Sequence, residues 1–135
     1  MTARILIVED EALVAMELRF VLEDLGYAVV GTAPDARSAR ALAMLGGVEL
    51  ALVDIHLSDG PTGVELGQEL GQEFGMTVLY MTANPGMVSH GIPGTMGVLT
   101  KPTDEGCVRG AVEYALQLRR GEPALLVPPG LQMFG

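Results

Sequence analysis

The sequence predicts a doubly wound α/β fold, a parallel sheet with helices on both faces, and three observations carry that expectation. Short, continuous apolar runs of the kind that suit strands buried on both faces recur along the chain. Most are followed by a segment whose apolar residues fall at helical spacing. The alternation repeats five times, and right-handed crossovers leave five successive β-α units little choice but a single parallel sheet.

Ile5 to Val8 is the first apolar run, and Glu9, Asp10 and Glu11 follow it at once. Val14, Leu18, Val21, Leu22 and Leu25 then mark an amphipathic helix that Gly26 ends. Tyr27 to Thr32 gives the second strand, and Pro34 and Asp35 open an alanine-rich helix that stops at Gly46 and Gly47. Leu50 to Val53 is the third strand and runs straight into Asp54, after which Ser58, Asp59, Gly60 and Pro61 make a loop. Thr62 and Glu65 have the spacing of a capping box for a helix whose apolar stripe is Leu66, Leu70 and Phe74. Glycines recur in that helix at 63, 67, 71 and 75. Interior glycines cost about 1 kcal/mol each relative to alanine, so tertiary packing must hold it.

Met76 to Thr82 and Gly97 to Lys101 are the fourth and fifth strands. The stretch between them contains Pro85, Gly86, Gly91, Pro93 and Gly94, which argues against a regular helix. After Pro102 a last helix carries Val108, Ala111, Val112, Ala115 and Leu118 on one side, with Arg119 and Arg120 near its C-terminus and Gly121 to stop it. Residues 122–135 hold three prolines and no period, and read as a loose arm or docking strip.

Composition removes several function classes. A chain of 135 residues has room for one core of ordinary size, and a formal net charge of −9 repels nucleic-acid backbones and anionic lipid, so a protein is the expected partner. Cys107 is the single cysteine and can make no internal disulfide; with no signal-peptide pattern and no apolar run long enough to span a bilayer, the expected location is the cytoplasm.

In a doubly wound sheet the ligand site lies beyond the carboxyl ends of the strands. The residues closing the strands are Glu9 and Asp10, Asp54, Thr82 and Lys101, the last being the only lysine. Three carboxylates meeting in one crevice repel one another unless a cation joins them, and a small site of hard oxygen ligands favours Mg²⁺. Lys101 can then neutralise one phosphoryl oxygen and Thr82 hydrogen-bond another, which leaves Asp54 as a carboxylate nucleophile. Each residue also has a plain structural use: Glu9 and Asp10 at a helix N-terminus, Asp54 opening a loop, Thr82 as a β-branched strand residue, Lys101 as a solvated charge. Their joint placement at four strand ends favours the site.

The runs Ile5-Leu6-Ile7-Val8-Glu9-Asp10-Glu11, Leu52-Val53-Asp54-Ile55, Tyr80-Met81-Thr82-Ala83 and Leu99-Thr100-Lys101-Pro102 together resemble the bacterial response-regulator receiver domain over about residues 3 to 120. The resemblance implies a flavodoxin-like sheet of five parallel strands in the order 2-1-3-4-5, with residues 1–121 as the domain and 122–135 as a short tail without an output module. It implies that Asp54 accepts a phosphoryl group from a histidine kinase or phosphotransfer protein. It also implies that Glu9, Asp10, Asp54 and the His56 backbone carbonyl hold Mg²⁺, that Thr82 is the switch hydroxyl and Lys101 its ionic partner, and that the Lys101-Pro102 bond is cis. Such a domain catalyses only its own phosphorylation and dephosphorylation; it binds a downstream protein or serves as a phosphate sink, with a homodimer a further expectation. The Asp54-Ile55-His56-Leu57 and Asp59-Gly60-Pro61-Thr62-Gly63 runs are similar to receivers that partner kinases of the HWE and related types.

Two departures fall on signal transmission. Val98 stands where the family usually has Tyr or Phe, and the Pro and Gly load from Asn84 to Gly97 weakens the helix that belongs to the family's output face. The expectation is that this segment carries the signal by moving or ordering. Two rival readings remain. A flavin carrier of the same fold needs a phosphate loop where Glu9, Asp10 and Glu11 stand, and an aspartate-nucleophile phosphatase usually has a second Asp where Ala12 follows Asp10.

Overall fold

A computed structural model describes residues 2–123 and 126–134. Met1 of the predicted domain, and Ala124, Leu125 and Gly135 of the predicted tail, lie outside the described residues.

The alternation predicted from the apolar runs is present except between the fourth and fifth strands, where no α-helix intervenes, so one of the five expected β-α units lacks its helix. β1 (Arg4–Val8), α1 (Ala12–Asp24), β2 (Ala28–Ala33), α2 (Ala36–Ala43), β3 (Leu50–Asp54), α3 (Gly63–Gln72), β4 (Thr77–Thr82), β5 (Gly97–Thr100) and α4 (Glu105–Arg119) follow in order. The first five strands are parallel in the order β2-β1-β3-β4-β5. Strands β3 and β4 are almost wholly buried, which is why they read as unbroken apolar runs.

One face of the sheet packs Ile5, Ile7, Leu52 and Leu99 against Leu18 and Leu22 of α1 and Val108, Ala111 and Ala115 of α4. The other packs Leu6, Val8, Val53, Val78 and Tyr80 against Ala39 and Ala43 of α2 and Leu66 and Leu70 of α3. On α4 the apolar stripe is completed by Leu116, which is buried, while the predicted Leu118 lies at the exposed edge.

Among the described residues the sheet has six strands where the sequence suggested five. β6 (Leu131–Met133), from the supposed loose tail, runs antiparallel along the outer edge of β5, pairing Leu99 with Leu131 and Gly97 with Met133. A three-residue strand after two prolines has too few residues to show a period, so it could be found only through its partner.

The predicted capping box at Thr62 does not form. Thr62 is already helical in φ and ψ, makes no side-chain cap, and donates its hydroxyl to Asp59 Oδ1 at 2.6 Å. Asp35 does cap α2, accepting the Ser38 N–H at 2.7 Å, and Asp104 caps α4 by accepting the Cys107 N–H at 2.7 Å. Between β4 and β5 the backbone makes only one short 3₁₀ turn, Pro85–Met87, as the proline and glycine content anticipated.

The repeated glycines of α3 have a packing reason. A Cβ on Gly63 would collide with the Asp54 carbonyl and the Ile55 backbone, one on Gly67 would lie 2.5 Å from the Tyr80 ring, and one on Gly71 would strike the Gly94 carbonyl. The helix therefore approaches the sheet more closely than any larger residue permits. Tyr80 lies buried beneath it and donates its hydroxyl to the Val64 carbonyl at 2.7 Å. Tyr80→Phe removes that bond and leaves the carbonyl without this donor; a loss of about 1 kcal/mol is expected, read as a shift in urea midpoint at unchanged slope.

Candidate functional site at the strand ends

Parallel pairing carries the strand-closing residues to one edge of the sheet. Val8 is level with Val53, which puts Glu9 beside Asp54; Asp54 is level with Met81; and Thr82 is level with Thr100, one residue before Lys101. The Glu9 N–H donates to the Ala33 carbonyl at 2.9 Å, and the Lys101 N–H to the Thr82 carbonyl at 2.8 Å, so both backbones are tied to neighbouring strands where β1 and β5 end. The Lys101-Pro102 bond is cis.

Carboxylate oxygens of Glu9, Asp10 and Asp54 all lie within 4.8 Å of one another. Lys101 Nζ reaches in from across the site and donates to Glu9 Oε1 at 2.7 Å and Asp54 Oδ2 at 3.1 Å. The remaining oxygens are satisfied in parallel fashion: Glu9 Oε2 accepts the Glu11 N–H at 3.2 Å, and Asp54 Oδ1 accepts the His56 N–H at 3.2 Å. Glu9, Asp54 and Thr82 are buried, while Asp10 is exposed, so the cluster opens to solvent on the Asp10 side. Asp10, Asp54, His56, Thr82, Asn84 and Lys101 line a cleft of about 550 Å³.

The charge in this corner does not balance. Burial most of all, and Asp54 beside it, push the Glu9 carboxyl up while the Lys101 hydrogen bond pulls it down by less, leaving it at about 7. Lys101 loses by burial but gains more from its two carboxylates, so its ammonium is held above its ordinary value and stays charged. One ammonium against three carboxylates leaves an excess of negative charge around oxygen donors. That donor set fits a small, hard divalent cation.

Asp10, Asp54, Thr82 and Lys101 thus line the same cleft, the Thr82 Oγ1 accepting the Asn84 N–H at 3.1 Å, and the buried Glu9 joins them through its carboxylate contacts and its bond from Lys101. His56 is at the cleft with its side chain exposed. The sequence reading missed one contributor and one pairing. Gly63 donates its N–H to the Ile55 carbonyl at 3.0 Å and packs on the backbone of Asp54, seating the strand end that presents the carboxylate. Glu9 is the nearer partner of Lys101, a pairing that spans 92 positions and leaves no local signal.

Residues 5–113 match the family described as the response regulator receiver domain. The chain belongs to that family. It is a receiver domain of two-component signalling. It is 34% identical over 118 residues to the phyllosphere-induced regulator PhyR of Methylorubrum extorquens, an alignment covering 86% of this chain and 44% of that protein. The crystal structure of the response regulator PhyR from Brucella abortus superposes with a TM-score of 0.80 at 30% identity, over 90% of this chain and 50% of that one. The solution structure of the PhyR receiver domain from Erythrobacter litoralis matches at 0.79 and 29% identity, over 93% and 97%. The chain therefore spans about half the length of the full PhyR proteins it matches. Receiver relatives of this kind are signalling regulators. Among the described residues no helix is long and apolar enough to cross a membrane.

Proposed function

We propose that this receiver accepts a phosphoryl group on Asp54 from a histidine kinase or phosphotransfer protein, and that the phosphorylated form regulates a protein partner or drains the donor. The observation that carries this reading is the convergence of Glu9, Asp10 and Asp54 within 4.8 Å, with Lys101 bonded to two of them. An Asp54 carboxylate oxygen attacks phosphorus, the bond from phosphorus to the donor imidazole breaks, and the imidazole keeps the electron pair. Glu9, Asp10 and Asp54, with the His56 carbonyl, are the residues to hold Mg²⁺, which when bound supplies positive charge against the phosphoryl oxygens. Lys101 offers a donor to one of those oxygens. Thr82 accepts the Asn84 N–H and so keeps its hydroxyl proton free for another.

The same Asn84 bond supports the segment from Asn84 to Gly97 as the route of transmission. A Thr82 hydroxyl drawn toward the phosphoryl group strains or releases the first residue of that segment. We read the protein as cytoplasmic, with residues 1–121 as the functional unit and no enzymatic action beyond its own phosphorylation and dephosphorylation.

Incubation with acetyl phosphate and Mg²⁺ tests the function. One labile phosphoryl group per chain is expected; steady turnover of many phosphoesters indicates a phosphatase, and a yellow protein a flavin carrier. Lys101→Ala is expected to keep much of the labelling but to lose the change in amide exchange that phosphorylation brings to Asn84–Gly97. Unchanged exchange there in the phosphorylated parent counts against the transmission route.

A further inference from the structure

The outer edge of β5 is covered by the chain's own C-terminal strand, and the contacts show what that edge recognises. β6 grips both faces of the sheet at once. Leu131 and Met133 join the core beneath α1 and α4, while Phe134 joins the core beneath α2 and α3, its ring centroid 6.3 Å from that of Tyr80. The backbone ladder extends beyond the strand, with the Phe134 N–H donating to the Met96 carbonyl at 2.9 Å. Glycines make room for it: a Cβ on Gly97 would lie 2.5 Å from the Gln132 carbonyl oxygen, and one on Gly91 would only touch Phe134, at 3.6 Å. Val98, where the family carries an aromatic ring, is level with both Tyr80 and Gln132, so the ring missing from β5 is supplied by its two neighbours.

We propose that this edge is a strand-docking site, filled at rest by residues 131–134, for an extended segment of a partner protein with the same aliphatic–polar–aliphatic–aromatic pattern. Three features favour a displaceable occupant over a fixed sixth strand. β6 pairs over only three residue pairs, and its central residue, Gln132, is exposed. It is tethered to α4 through about ten residues, and a short tether supplies an effective concentration on the order of millimolar, so the contact itself can be weak. No charged residue occurs from Pro123 to Gly135 in a chain of net charge −9, so the edge accepts an uncharged strand and disfavours an acidic one. The docking site stands on this geometry alone and is independent of the chemistry at Asp54.

The probe is a fluorescent peptide of sequence Pro128–Phe134, titrated into the 135-residue parent and into the same chain carrying Leu131→Ala and Phe134→Ala. Binding at least tenfold tighter to the variant is expected, with amide shifts at Gly97, Val98 and Leu99, and a peptide lacking its Leu and Phe side chains should not bind. Equal affinity for parent and variant, or shifts elsewhere, overturns the proposal. So does a parent that dimerises on concentration by exchanging tails, because the edge then serves a second copy. In the parent alone, the Phe134 amide should exchange at least a hundredfold faster than that of Leu52. Equal rates mean that β6 opens only when the whole fold does, which overturns the proposal even if the variant fails to fold.

Discussion

Asp54→Asn is expected to abolish labelling by acetyl phosphate or by a phosphorylated donor, a loss on the order of a thousandfold or more, while the fold survives. The amide has the size of the carboxylate and keeps an oxygen to accept the His56 N–H, so the end of β3 has no reason to move. What it lacks is the charged oxygen proposed to attack phosphorus. Lys101 loses one of its two carboxylate partners but retains the closer one, Glu9 at 2.7 Å. Removing one of three mutually repelling carboxylates also relieves the corner, so the variant should melt no lower than the parent. Radiolabel counted on a gel beside a thermal melt separates the two effects. Label equal to that of the parent would place the acceptor elsewhere.

Gly63→Ala should damage the same site without touching its chemistry. The new methyl group has no room, because its neighbours are the Asp54 carbonyl and the Ile55 backbone, neither of which can rotate away as a side chain can. Either α3 lifts from the sheet or the end of β3 shifts. Overpacking of this kind costs about 3 kcal/mol, which for a domain of this size lowers Tm by roughly 10 °C. Because the displaced backbone carries Asp54, the rate of labelling should fall even in the fraction that remains folded. Gly106→Ala is the control: it lies within α4, its nearest neighbour is the Asp104 side chain at 3.5 Å, and it should leave labelling unchanged and stability equal to or slightly above the parent's. A Gly63→Ala chain as stable and as readily labelled as the parent contradicts the role assigned to this close approach.

The parts of the site that could be read from sequence share one property: each is the polar residue that ends an apolar run. Val8 to Glu9 and Val53 to Asp54 are abrupt changes along the chain, and parallel pairing turns those ends into neighbours with no further information needed. The parts that could not be read depend on distances between elements. Nothing local separates Gly63, which must be small because a carbonyl lies against it, from a glycine that merely weakens a helix. The capping box at Thr62 had the right spacing, yet Asp59 competes for the same hydroxyl three residues earlier and takes it. β6 was hidden for a similar reason, since its pairing residues on β5 lie more than 30 positions away and its own three residues carry no pattern. Val98 signalled correctly that the usual ring is absent from β5, but not that Tyr80 on one side and Phe134 on the other fill the gap.

The claim beneath all of these expectations is that Glu9, Asp10 and Asp54 form one divalent-cation cup. Paramagnetic Mn²⁺, used in place of Mg²⁺ and titrated at substoichiometric levels, tests it most directly through the broadening of assigned amide resonances. The account predicts that Asp10, Asp54, His56 and Lys101 broaden first and that Leu116, on α4 and outside the cup, stays sharp. Broadening that spreads evenly over the exposed acidic residues, or that spares Asp54, would contradict it.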